Sequence, residues 1–259
     1  MRKYFVPLLT SLLVACATSP LGRSQLILFP EDDMERMGSA AFTEVKKKTP
    51  TSREGETIEY VRCVAYAVIR VLPPPYSYAD WDIVVFAEDP ANAFALPGAK
   101  IGVYEGLLKV AASQDQLATV IGHEIAHVVA QHSNERISRD YATQASLEIV
   151  GAIAGGEGDL AMAALGVGVQ VGVKLPFNRS QENEADLLGL DYMANAGFDP
   201  EESIALWHNM SVASKRNPPE FLSTHPSHES RIEQLRARMP HALAIYDAAV
   251  ASGREPNCD

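Results

Sequence analysis

Three residues near the middle of the chain carry a chemistry by their types and spacing. His123, Glu124 and His127 stand as His-Glu-Ile-Ala-His. On a helix, positions four apart lie one above the other, so both imidazoles point the same way, at a spacing that suits one zinc ion. Glu124, one residue on, is placed to hold a water beside that ion and take its proton. The bland alternative is a pair of core histidines beside a buried acid. It leaves a carboxylate on an apolar helix in need of a partner or a shifted pKa. Two histidines do not complete a catalytic zinc site, which takes three protein ligands and an open position. The best third candidate is Glu182, with Asp186 four residues later on the same helical face. One carboxylate would bind the metal and the next would orient a ligand imidazole. In a chain with 33 acids, Glu182 could equally be a surface carboxylate. Glu184 shares neither face and reads as solvated or paired with an arginine.

The histidines need a rigid support, and Ser113–His132 reads as one helix. Ser113 and Gln116 fit a capping box ahead of an apolar run. Leu117, Ile121, Ile125, Val128 and Val129 then recur at helical spacing. The acids sit on a second helix, Ser180–Ala196, ended by Gly197 and Pro200. Upstream, a helix from Glu31 to Lys48 has acids first and lysines last. Another, Ile58–Leu72, is stopped by three prolines. A strand is expected over Asp82–Glu88. A hairpin of Phe94–Leu96 and Lys100–Tyr104 turns at Pro97-Gly98, and a helical turn follows over Leu107–Ala112. Beyond His132, helices are expected over 134–150, 201–213, 227–239 and 241–251, with a loop over Pro218–Pro226. Gly151–Val173, rich in Ala, Gly and Val, reads as a close-packed helix pair, with a flap or a membrane-facing patch as alternatives. Strands before helices give an α+β class: a mostly helical domain with a small sheet or hairpin ahead of the His-Glu-x-x-His helix.

The whole chain sets limits on partners. Its 259 residues, 47% hydrophobic and 21% charged, suit a globular fold. A net charge of −11 lacks the basic field that nucleic acid requires. Arg2 and Lys3 precede the apolar run Tyr4–Ala15, which is too short to span a bilayer. Leu13-Val14-Ala15-Cys16 resembles a bacterial lipobox, which would make Cys16 a lipid-anchored first mature residue; an ordinary signal peptide with a stray cysteine is the alternative. Ala17 resembles the outer-membrane default. The expected layout is a signal peptide over 1–15, a tether over 16–30, one domain over 31–252 and a tail over 253–259. An oxidising compartment allows a Cys63–Cys258 disulfide. Against it, Cys63 reads as a residue that could simply be buried and Cys258 lies near a fraying end, so the pairing stays open. No oligomeric state can be read.

Four segments together resemble a known family. They are His123–His127, then Arg179–Gly189 with its Glu-x-x-Ala-Asp over Glu182–Asp186, then Asn92–Gly98, and Ser223-Thr224-His225-Pro226 followed by Arg231-Ile232. Over residues 80–240, in order, the chain resembles the HtpX-like and CAAX prenyl endopeptidase type of zinc metallopeptidase, a gluzincin. It resembles the soluble lipoprotein branch, close to the mitochondrial stress-protease group, and lacks the spanning helices of the integral-membrane members. The resemblance implies one Zn2+ held by His123, His127 and Glu182, with Glu124 as general base and proton donor. His225 and Arg231 are the candidates for steadying the developing oxyanion; His225 could instead fill the vacant metal position at rest, or cap the next helix. Asn92, Ala93 and Phe94 would form a strand on which an extended substrate aligns. His132, His208, His228 and His241 read as surface or packing residues. The implied function is hydrolysis of unfolded or misassembled proteins in the bacterial periplasm, at the membrane through Cys16. An assembly factor for outer-membrane proteins using the same groove is the alternative.

Overall fold

The computed structural model describes residues 16–153, 177–214, 221–225 and 229–258. The expected signal segment, most of Gly151–Val173 and residues 218–220 and 226 of the expected Pro218–Pro226 loop lie outside them; within that loop Phe221–Thr224 is instead a short helix. The described chain opens with a hairpin, β1 (Cys16–Thr18) against β2 (Ser24–Leu26). Helices α1 (Glu31–Lys48) and α2 (Gly55–Ile69) follow, then three strands, β3 (Asp82–Phe86), β4 (Ala93–Leu96) and β5 (Lys100–Tyr104). The rest is helical: α3 (Gln114–Val129), α4 (His132–Ile153), α5 (Arg179–Ala196), α6 (Glu202–Ser214), α7 (Phe221–Thr224) and α8 (Glu229–Ala251). The class is α+β, mostly helical with small sheets first.

Helix α3 runs through the core because its sequence is apolar on nearly every face; all residues from Gln116 to Val129 except Thr119 are buried. Ser113 Oγ accepts the Gln116 N–H and starts it. The reciprocal half of the expected box is shifted by one residue, since Gln116 Oε1 takes the N–H of Ala112. The helix stops earlier than expected. Gln131 adopts φ +53°, and a separate helix, α4, begins at His132. The sheet has the order β3-β5-β4, with β3 parallel and β4 antiparallel to β5. Period-2 alternation divides its side chains: Phe94 and Leu96 pack with Phe42 of α1, while Ala93 and Ala95 join the main core with α2 and α3. Strand β4 therefore lies on the sheet edge, beside α3.

Two expectations change and one open pairing is decided. Residues 16–30 are not a free tether; the hairpin is docked on α4 and α5 by hydrogen bonds from Leu21, Arg23, Gln25 and Leu28. Pro240 does not divide the last helix, which runs unbroken from Glu229 to Ala251. The lost backbone hydrogen bond is offset by burial of Leu235 and Ala242 on either side of it. Cys63 and Cys258 form a disulfide, with their Cα atoms 5.6 Å apart. Cys63 is exposed rather than buried. The tail is held next to it because Gln114 bonds both Pro256 O and the Cys258 N–H.

The disulfide closes a loop across most of the chain, so it restricts the unfolded state heavily. Cys63→Ser with Cys258→Ser is expected to cost about 2–4 kcal/mol, read as a lower urea midpoint with a steeper slope, since the freed unfolded chain exposes more surface.

Candidate metal centre

Helices α3 and α5 meet backbone to backbone at Gly122 and Gly189. A Cβ on Gly189 would lie 2.6 Å from the His123 nitrogen, and one on Gly122 would lie 2.8 Å from the Gly189 oxygen. Only hydrogen fits at either position. The contact falls beside His123, and it brings the first turns of α5 against the last turns of α3. Asn178 caps α5 in a full capping box with Gln181, which fixes the turn that carries Glu182.

Four buried side chains converge there. His123, His127, Glu182 and His225 each present one ligand atom, all within 4.8 Å of one another. His123 Nε2 lies 3.1 Å from His127 Nε2 and 3.2 Å from His225 Nδ1. Glu182 Oε1 lies 3.0 Å from His225 Nδ1 and 3.6 Å from His127 Nε2. Glu124, on the same stretch of α3, has Oε1 3.2 Å from His225 Nε2 and accepts the Ala95 N–H through Oε2. Phe177 stacks on His127 at 3.9 Å, and Phe221 on His225 at 4.6 Å. A cavity of about 460 Å3 opens beside His127, between Tyr76, Tyr78, Glu35 and Asp80.

The outer nitrogens show why a cation fits this cluster. His123 Nδ1 faces Asp186 Oδ1 at 3.0 Å, and His127 Nδ1 faces His132 Nδ1 at 2.9 Å. With those nitrogens donating outward, both Nε2 atoms turn bare lone pairs toward each other and toward Glu182. Glu182 Oε2 and Glu124 Oε1 are buried and make no well-aligned hydrogen bond; their near neighbours are Arg231 Nη1 and His225 Nε2, at 2.9 and 3.2 Å. A positive ion among them resolves this convergence. Without one, burial works against charge on His123, but Asp186 and Glu182 outweigh it and raise its pKa to about 9. Burial and the neighbouring cationic groups push His127 well below its ordinary value, in the neutral form a ligand needs. Burial opposes charge on Glu182, yet His225 and His123 hold its carboxyl far below the usual range. Burial raises Glu124, which suits a group that must take up and return a proton.

The remaining expected residues fall as follows. Asp186 is gripped by Arg231 through Nε and Nη2, both at 2.6 Å, and Arg231 Nη1 lies 2.9 Å from Glu182 Oε2. The guanidinium also covers the Trp207 ring at 4.1 Å. Its shortest contacts are to the two carboxylates, with longer ones to the His225 oxygen at 3.5 Å and to His123 Nδ1 at 3.4 Å, so Arg231 stands behind the cluster and His225 in front of it. Both ring nitrogens of His225 face Glu182, His123 or Glu124, which leaves none to cap α8. Asn92 precedes β4, and its Oδ1 is a buried acceptor without a hydrogen bond. Ala93 and Phe94 lie within β4, with the Phe94 ring turned away into the aromatic cluster. Cys16 opens β1. Two participants were missed. His132 is fully buried against His127; Glu184 is buried and paired with an arginine, Arg23, as one of its two readings has it, but its bond to His132 was not foreseen. A continuous helix would have put His132 about 140° around from His127, and nothing in Gln131 signals the break.

A model of peptidase family M48 matches residues 57–239. The chain belongs to peptidase family M48. The mitochondrial metalloendopeptidase OMA1 of Schizosaccharomyces pombe is 38% identical over 164 residues, 62% of this chain and 48% of that protein. The Bos taurus metalloendopeptidase OMA1 is 31% identical over 245 residues, 87% of this chain and 46% of that protein. The beta-barrel assembly-enhancing protease of Escherichia coli is 33% identical over 160 residues, 58% of this chain and 32% of that protein. This M48 chain thus spans about half the length of the mitochondrial relatives and about a third of the bacterial one. Among the described residues, no helix is long and apolar enough to cross a membrane.

The glycine contact sets the distance between the histidines and Glu182. Gly189→Ala is expected to cost about 1–3 kcal/mol by overpacking and to lower bound metal per chain, measured by urea unfolding and elemental analysis of the same sample.

Proposed function

We propose that this M48 chain is a zinc-dependent endopeptidase of the bacterial envelope, acting on unfolded or misassembled proteins. The observation that carries it is the buried His123–His127–Glu182 cluster with Glu124 beside it, bonded to an edge-strand amide. The donor set of two imidazoles and a carboxylate suits zinc. His123, His127 and Glu182 would hold the ion, which supplies Lewis acidity toward a peptide carbonyl and toward water.

The chain's own groups supply the rest. An extended peptide adds to the free edge of β4, so recognition rests on main-chain hydrogen bonds and little on sequence. Asn92 offers its orphaned acceptor at the head of that strand. Glu124 takes the proton of the attacking water and passes it to the leaving amine. His225, 3.2 Å from Glu124, is the donor placed to steady negative charge on the carbonyl oxygen. In the arrangement described, His225 also stands where a fourth ligand would, which suits a closed resting form that opens when its ring swings away. The aromatic walls of Phe177 and Phe221 exclude water around it.

The lipobox-like segment ending at Cys16 supports anchoring to a membrane, with the outer membrane favoured by Ala17. The name of the Escherichia coli relative, an assembly-enhancing protease, supports a role near barrel assembly; the second reading is an assembly factor that uses the same groove without cutting. Glu124→Gln separates the two. It should retain about one zinc per chain and substrate binding, while casein cleavage falls by at least about a hundredfold. Chelator should abolish cleavage by the unmodified chain, and zinc should restore it. Casein cut by Glu124→Gln at the unmodified rate would overturn the catalytic assignment.

A further inference from the structure

Each ligand imidazole is backed by a carboxylate, and each carboxylate is gripped by an arginine. For His123 the line is Asp186 and then Arg231 of α8. For His127 it is longer: His132, then Glu184, then Arg23 of the N-terminal hairpin. Arg23 lies ahead of residues 57–239, the part matched by the family model. We propose that Arg23 is a positioning residue of the metal centre. On this reading, which rests on the metal site proposed above, the N-terminal hairpin is a working part of the site and acts on His127 through Glu184 and His132.

Hydrogen-bond accounting leaves one arrangement of protons along this line. His127 turns Nε2 to the cluster, so its Nδ1 carries the hydrogen when Nε2 binds an ion. That hydrogen points at His132 Nδ1, 2.9 Å away, which must then accept. His132 keeps its own hydrogen on Nε2 and donates it to Glu184 Oε2 at 3.1 Å. Arg23 Nε meets the same oxygen at 3.0 Å, and the Leu21 N–H meets the other at 3.2 Å. The two remaining guanidinium nitrogens of Arg23 take both oxygens of Glu135, at 2.7 and 2.6 Å. Gln25 adds bonds to Glu135 and to the Ala130 oxygen at the end of α3. One fork therefore holds the acceptor that ends the line and the helix that carries His132.

The docking is mainly polar, with the half-buried Phe29 ring edge-on to Tyr141 as its apolar contact, which separates this role from ordinary packing. Within 17–29, the buried residues are Ser19 and Gln25, while Leu21 and Leu28 are exposed. A hairpin with three-residue strands is not stable alone. Its attachment rests on bonds to Glu184, Glu135, Asn134 and Ser138. Groups that orient a metal-bound histidine change metal affinity by about 10–100-fold when removed.

The test measures zinc affinity by competition with a chromophoric chelator, and the visible absorption of the cobalt-loaded protein. Arg23→Ala should weaken zinc binding by about 10–100-fold and shift the cobalt bands, with the helical circular dichroism retained. Arg23→Lys keeps the charge but not the fork, and should recover only part of the loss. Glu184→Gln should reproduce the loss, and adding Arg23→Ala to it should weaken binding little further, because both act along one line. If Arg23→Ala does not fold, Glu184→Gln and Arg23→Lys still decide. Unchanged affinity and cobalt bands in Arg23→Ala, or in both remaining variants, would overturn the proposal, as would fully additive losses. An unmodified chain that takes up no zinc would remove the metal centre itself, and the proposal with it.

Discussion

The buried cluster of histidines and glutamates depends on how closely two helices can approach. At Gly122 and Gly189 the backbones of α3 and α5 touch with no side chain between them. Most helix pairs stand about 8–10 Å apart, held off by their side chains. Here the absence of two Cβ atoms brings Glu182 within reach of histidines from another helix. Once the helices are this close, four polar groups are out of water together, and isolated buried charge is expensive. The surrounding ion pairs answer that cost.

Those pairs form two supports of different origin. Arg231 belongs to α8, sits beneath the cluster and holds Asp186 and Glu182 at once. Arg23 comes from the other end of the chain and holds Glu184 and Glu135. Burial opposes charge on Asp186 and on Glu184 alike. Arg231 overcomes it for Asp186, and His132 with Ser19 and Leu21 for Glu184, whose pKa falls to about 2. Both carboxylates thus stay ionised and remain acceptors, so the imidazoles they face, directly or through His132, are fixed in orientation.

Much of this was legible in the sequence, and the illegible parts share a cause. The helix under His123 and His127 was readable because apolar periodicity and a serine cap are local signals. Glu182 and Asp186 were readable as a same-face pair, and the resemblance picked them out of many acids. His132 was not, because its position depends on a left-handed Gln131 that no local pattern announces. Gly122 and Gly189 carry no meaning until each is seen against the other. The hairpin looked like a tether because its docking residues, Ser19, Arg23 and Gln25, are those that a solvated segment also uses. The disulfide depended on a tail held by Gln114, a contact 144 residues distant in sequence.

The bond from the Ala95 amide to Glu124 Oε2 couples two events in the cleft. That amide lies on the free border of β4, where an arriving carbonyl would seek a donor. While the cleft is empty, the carboxylate is moored to it. A guest chain that claimed the amide, as the proposed function has it, would cast the carboxylate off, so occupancy itself would unmoor the group proposed to handle protons.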